Sequence, residues 1–239
     1  MGVVWVTCPY NERDGQLNPD ARTVNNTGAF NALADAVLYN TLAWVINGSP
    51  NYPTNVASWI NTWFLASDTY MNPNLNYAQI VRGPKTSNFG RAAGVLDLRC
   101  MVKIVNAVLV LRAGNAPGWT NAIDSGLVAW TKSYIGWLTT SPLALAEAAT
   151  TKCVTLIPSP CFGATSRMSH IPCHGAYNLV GATPSFGSNH GTYYYGQLAA
   201  LQILVYDTAS ANAAIQKYFS TLFRNQVTGT GEQVRDVAQ

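Results

Sequence analysis

Apolar residues in this chain recur at intervals of three and four, and Gly48 and Gly114 close two of the stripes. Phe30, Leu33, Ala34, Val37, Leu38, Leu42 and Val45 form one such stripe, ended by Gly48. Side chains at that spacing share one face of a helix. A second helix is expected over about 53–65, with Pro53 in its first turn and Val56, Ile60, Trp63 and Phe64 on one face. Val95, Leu98, Val102, Val105, Leu109 and Leu111 predict a third helix ending at Gly114, after which Pro117-Gly118 turns the chain. Ile123, Leu127, Trp130, Tyr134 and Leu138 mark a fourth, and a short helix follows from Pro142 through Ala149. Helical spacing resumes from Tyr193 to Tyr206 and from Ile215 to Phe223. Helices joined by short turns, with little alternating strand pattern, predict an all-α fold of stacked αα-hairpins.

An apolar content of 48% over 239 residues is ample for a core, which excludes a disordered chain. Only 10% of residues are charged, so Asn, Thr, Ser, Tyr and Gln must carry the polar surface. That profile suits a secreted carbohydrate-active protein. The net charge of +3 permits an acidic polysaccharide, but Lys and Arg are scattered singly, so no stripe argues for nucleic acid. No apolar run is read as long enough to cross a bilayer, which predicts a soluble protein without a membrane partner. Met1 to Val6 lacks the features of a secretory signal. Two sequons, Asn25-Asn26-Thr27 and Asn47-Gly48-Ser49, are compatible with secretion.

Between the second and third helices lies the run from Trp63 to Gln79, which reads Trp-Phe-Leu-Ala-Ser-Asp-Thr-Tyr-Met-Asn-Pro-Asn-Leu-Asn-Tyr-Ala-Gln. Its amides offer donors and acceptors to hydroxyl or carboxylate groups, and its aromatic rings offer flat apolar faces on which a pyranose can lie. The alternative is a structural loop whose amides satisfy backbone groups, a reading of equal weight for Asn72 and Asn74. Trp59, Trp63, Trp130 and Trp137 fall on helices and are assigned to the core.

This run, followed by Gly90-Arg91-Ala92-Ala93-Gly94-Val95-Leu96-Asp97, resembles the alginate lyase family of polysaccharide lyases. Arg13-Asp14-Gly15-Gln16-Leu17-Asn18-Pro19 upstream and Ser188-Asn189-His190-Gly191-Thr192-Tyr193-Tyr194 downstream add to the likeness, the latter matching the family's Asn-Asn-His-Gly signature. The resemblance covers about residues 10–152 and 188–233. It implies an α/α toroid, its ring incomplete in this length, in one domain, a monomer that is secreted, and β-elimination on a uronic-acid polymer without a cofactor.

Such a reaction removes a weakly acidic proton beside a carboxylate. The carboxylate must be neutralised, a base must take the proton, and an acid must protonate the leaving oxygen. By resemblance, Asn189 neutralises the carboxylate and His190 serves in neutralisation or as base. Both lie just ahead of a predicted helix, whose positive end would favour an anionic substrate and disfavour an extra proton on the imidazole. The competing reading makes His190 a packing residue and Asn189 its helix cap. Gln79, Asn76 and Tyr77 are the expected substrate-binding strip. Arg13 joins them on a lid-like segment, with a solvated loop arginine as the alternative, and Arg91 is read the same way.

Residues 153–187 break the helical pattern. They hold four of the chain's prolines, three of its five cysteines and two of its three histidines. Against the family this is an insertion of about 35 residues, either a long surface loop or a translated intron. Cys161, His170, Cys173 and His174 suggest zinc ligands, but their spacing fits no defined zinc pattern, and no metal is assigned. Cys8 and Cys100 are left as free or paired. Gly231-Glu232-Gln233 echoes a family run whose Arg would fall at or past Gln239, with the catalytic Tyr beyond. That departure implies weak or no activity for the sequence as written. It sets a non-catalytic carbohydrate-binding remnant, or a gene-model fragment, beside the enzyme.

Overall fold

The computed structural model describes residues 25–80, 89–149 and 190–226. Among these residues every regular element is helical, as the three-and-four spacing predicts. Helix α1 spans Asn26–Asn47. The Asn25 side chain caps it by accepting the Gly28 N–H at 3.2 Å, and Gly48 ends it in the left-handed region at φ 73°. Helix α2, Asn51–Ile60, runs into a π-helical turn at Asn61–Leu65.

A single helix through Val95–Leu111 is not what forms. A 3-10 segment, Ala92–Leu98, precedes α3 at Met101–Ala113, with Arg99 and Cys100 between them. The 3-10 segment is drawn against the preceding loop through Gly94, whose backbone lies so near Ala78 that no side chain would fit. Helix α4 spans Asn121–Thr140, and Pro142 opens the short α5, Pro142–Ala148. The later stripes also shift. Helix α6 runs His190–Leu204, and Tyr206 beyond it takes a left-handed backbone at φ 66°. The last stripe divides at Thr221 into α7, Thr208–Ser220, and α8, Leu222–Gln226.

Helices α3 and α6 lie at the centre. Helix α3 packs on α1 and α6, while α6 also touches α4, α5, α7 and the 3-10 segment. Met101, Ile104, Val108 and Leu111 of α3 and Leu201 and Leu204 of α6 are fully buried. Each such side chain contributes about 1.5–3 kcal/mol on burial. The four helical tryptophans assigned to the core all pack there, Trp130 buried and Trp59, Trp63 and Trp137 partly so.

The expectation that no segment could span a bilayer is corrected at α1, which is long and apolar enough by length and composition. In the fold it buries Phe30, Leu33, Ala34, Val37 and Thr41, packs on α2 and α3, and pairs Asp35 with Lys103 of α3 at 2.5 Å. These contacts cover the first part of its apolar stripe, while Leu42 and Val45 in its last turns stay 45% and 59% exposed.

Candidate functional site

The loop from Met71 to Gln79 is held from both sides. On one side stands α4, whose Trp130, Tyr134 and Trp137 recur at helical spacing and stack in series. Ring centroids are 5.3 Å apart for Trp130 and Tyr134, and 5.9 Å for Tyr134 and Trp137. Each indole N–H finds an acceptor in the loop, as a buried indole requires. Trp130 Nε1 donates to the Met71 carbonyl at 2.8 Å, and Trp137 Nε1 donates to Asn76 Oδ1 at 2.7 Å.

On the other side lies the Gly90–Asp97 run. The Gly90 N–H donates to the Asn76 carbonyl at 2.6 Å and the Arg91 N–H to the Ala78 carbonyl at 3.1 Å. A Cβ at Gly90 or Gly94 would stand 2.5 or 2.6 Å from the Ala78 carbonyl oxygen, inside any tolerable contact. Glycine therefore permits this approach of two backbones. Gln79 adopts φ 52°, and its Nε2 donates to Asp97 Oδ1 at 2.8 Å and to the Ala93 carbonyl at 3.3 Å. Asp97 is buried, so this bond partners an otherwise costly carboxylate. Asn76 and Gln79 thus each use part of their amide to fix the loop. Tyr77 projects outward, 65% exposed, with its ring parallel to Phe89 at 6.0 Å and 6°.

His190 is the first residue of α6. Tyr194 and Gln197 follow it at i+4 and i+7 on the same face, and both reach neighbouring elements. Tyr194 Oη donates to the Leu138 carbonyl at 2.9 Å. Gln197 accepts from Tyr134 Oη at 3.0 Å and donates to the Val95 carbonyl at 3.3 Å. These bonds set the phase of α6 against α4 and the 3-10 segment. They bring its first turn to the end of α4 at which Trp137 holds Asn76.

There the His190 Nδ1 lies 2.7 Å from Oε1 of Glu147 on α5. The His190 side chain is 32% exposed and that of Glu147 only 2%. The hydrogen bond to Glu147 raises the imidazole pKa above its ordinary 6.5, against an opposing effect of burial. This corrects the expectation from the helix terminus. A helix end contributes about 0.3–1 kcal/mol, whereas a hydrogen bond to a charged group contributes about 1.5–3 kcal/mol. The carboxylate wins.

Asn189, Arg13, residues 153–187 with their cysteines and histidines, and Cys8 lie outside the described residues. Cys100 is a free thiol. Among the described residues no three His, Cys, Asp or Glu side chains group as metal ligands would. Of the tyrosines beside the signature, Tyr194 and Tyr195 are buried, and burial pushes the Tyr194 phenol up to about 12. Tyr193 is exposed, with the Arg99 guanidinium 5.9 Å from its ring centroid.

Sequence reasoning gave no site role to Glu147, Asp97, Phe89 or the Trp137 indole N–H. One signal for Glu147 was present, since it is the sole acidic residue in the apolar run Pro142–Ala149. A buried carboxylate there needs a partner.

The family model for alginate lyase matches residues 6–152. None of the curated proteins compared matches the chain. The crystal structure of an alginate lyase from Bacteroides ovatus is similar in fold, with a TM-score of 0.72 at 24% identity over 94% of this chain. The aligned region is 49% of that protein, so this chain spans about half its length.

Proposed function

Because the chain belongs to the alginate lyase family, we propose that it acts on a uronic-acid polymer such as alginate by β-elimination, with no cofactor. The observation that carries this reading is the half-buried His190, held by Glu147 at the end of the fold where the Met71–Gln79 loop is anchored. Asn189 binds the uronate carboxylate and draws off its charge, which acidifies the proton on the adjacent carbon, while His190 assists in that neutralisation as imidazolium or takes the proton on Nε2 as base. Transfer of that proton to the base, with departure of the neighbouring glycosidic oxygen as a general acid protonates it, leaves a carbon–carbon double bond in the product. Tyr77 and Phe89 offer a flat apolar face on which a sugar ring can lie, and Asn76, Gln79 and Arg13 complete the binding strip. The overall arrangement is an α/α toroid, a single domain carrying an insertion at about 153–187, working outside the cell as a monomer.

The test is ultraviolet absorbance of the unsaturated product, with polymannuronate, polyguluronate and other polyuronates as substrates. Turnover by the native chain, with a loss of at least about 100-fold in His190→Ala, is the expected result. Binding without turnover would replace this reading with the carbohydrate-binding one. A folded protein that neither binds nor cleaves any polyuronate would overturn both.

A further inference from the structure

Glu147 has no direct part in the chemistry of the proposed reaction, yet its carboxyl group is buried against the histidine that does. It is almost fully buried at the end of α5, and one of its oxygens lies 2.7 Å from the imidazole of His190. A buried carboxylate takes hydrogen bonds and gives none, so the proton between the two belongs to Nδ1 in both the neutral and the cationic imidazole. That leaves Nε2 to face whatever enters through the exposed part of the ring.

We propose that Glu147 is the positioning residue of His190, fixing the ring and its Nδ1–H tautomer so that Nε2 is the atom presented to substrate. This rests on the reading of His190 given above, but the tautomer exists with or without substrate. A neutral histidine side chain free in water favours the opposite tautomer, so the carboxylate must impose this one. Other charged groups on elements packed around α6 are engaged elsewhere. Asp97 is bonded to Gln79 and Arg99 lies over Tyr193. Lys103 pairs with Asp35 and Arg112 with Asp124. Lys132, Lys217 and Arg224 are exposed. Glu147 is the charged group in contact with the ring among the described residues.

The experiment is long-range proton–nitrogen NMR of the histidine-labelled protein, with His190 assigned from the spectrum of His190→Asn. The wild type should show Nδ1–H in the neutral ring. Glu147→Gln keeps an acceptor oxygen, so it should keep the tautomer while the His190 titration midpoint falls by about one pH unit or more. Glu147→Ala should drift toward the Nε2–H form. A wild-type ring in the Nε2–H form, or a midpoint unmoved in folded Glu147→Gln, would overturn the proposal. The Gln variant decides the matter if the Ala variant does not fold. With a polyuronate substrate, Glu147→Gln should lower kcat by about 10-fold or more with KM little changed. If the NMR results stand while no polyuronate is cleaved, the reaction assignment fails and the positioning role survives.

Discussion

Trp137 on α4 donates its indole N–H to Oδ1 of Asn76 across 2.7 Å, so an aromatic residue of the core holds an amide of the candidate site in place. Trp137→Phe keeps most of the packing and removes this donor, leaving a half-buried amide oxygen to find water. The expected cost is about 1–3 kcal/mol by denaturant unfolding. Binding of polyuronate should weaken as the loop loosens, measured by titration calorimetry. Unchanged binding would separate Asn76 from the substrate strip.

Gly94→Ala should be more harmful than its size suggests. The added methyl would press on the backbone carbonyl of Ala78, which cannot swing aside as a flexible side chain would. A loss of about 1–3 kcal/mol is expected. Gly136→Ala is the control, since a Cβ there meets nothing within 4 Å, and should be neutral or stabilising.

Stability should depend on pH through His190. Its pKa is raised in the folded protein, chiefly by the hydrogen bond to Glu147, above the ordinary 6.5. The folded state therefore holds the proton more tightly than the unfolded state. The resulting stabilisation is fully present below pH 6.5 and is lost as pH rises through the folded value. Thermal unfolding of wild type and His190→Asn, compared from about pH 5 to 9, should show a difference that shrinks with rising pH. A difference independent of pH would mean that the ring contributes only packing.

Tyr134 and Tyr194 should resist ionisation. Burial raises the Tyr134 phenol well above its ordinary range, with Asp97 adding to the effect, and raises Tyr194 to about 12. In a spectrophotometric titration of the folded protein, these two should ionise only with unfolding or near it. Tyr134→Phe removes the hydroxyl that donates to Gln197 Oε1, with an expected cost of about 1–3 kcal/mol.

The helices were legible because periodicity is local. The stripe from Phe30 to Val45 predicted α1, and Gly48 ended it where expected. The break between the 3-10 segment and α3 was not legible, because it depends on Gly94 meeting Ala78 from a preceding loop. The Met71–Gln79 run could be read as a loop rich in amides. Which of those amides turn inward depends on Trp137 and Asp97, which sequence spacing does not connect to it. His190 was found through its motif. Its proton affinity was misjudged because Glu147 comes from another helix, while the sequence revealed only the helix start.

Tyr194 and Gln197 fix the rotation of α6 about its own axis, because each is tied to a different neighbour. Adding or removing one residue between His190 and Tyr194 would turn the histidine by about 100° relative to the rest of the helix. The ring would then leave Glu147 while every bond deeper in the core stayed intact. Length in that first turn is thus a stricter requirement than side-chain identity at its exposed positions, Thr192 and Tyr193.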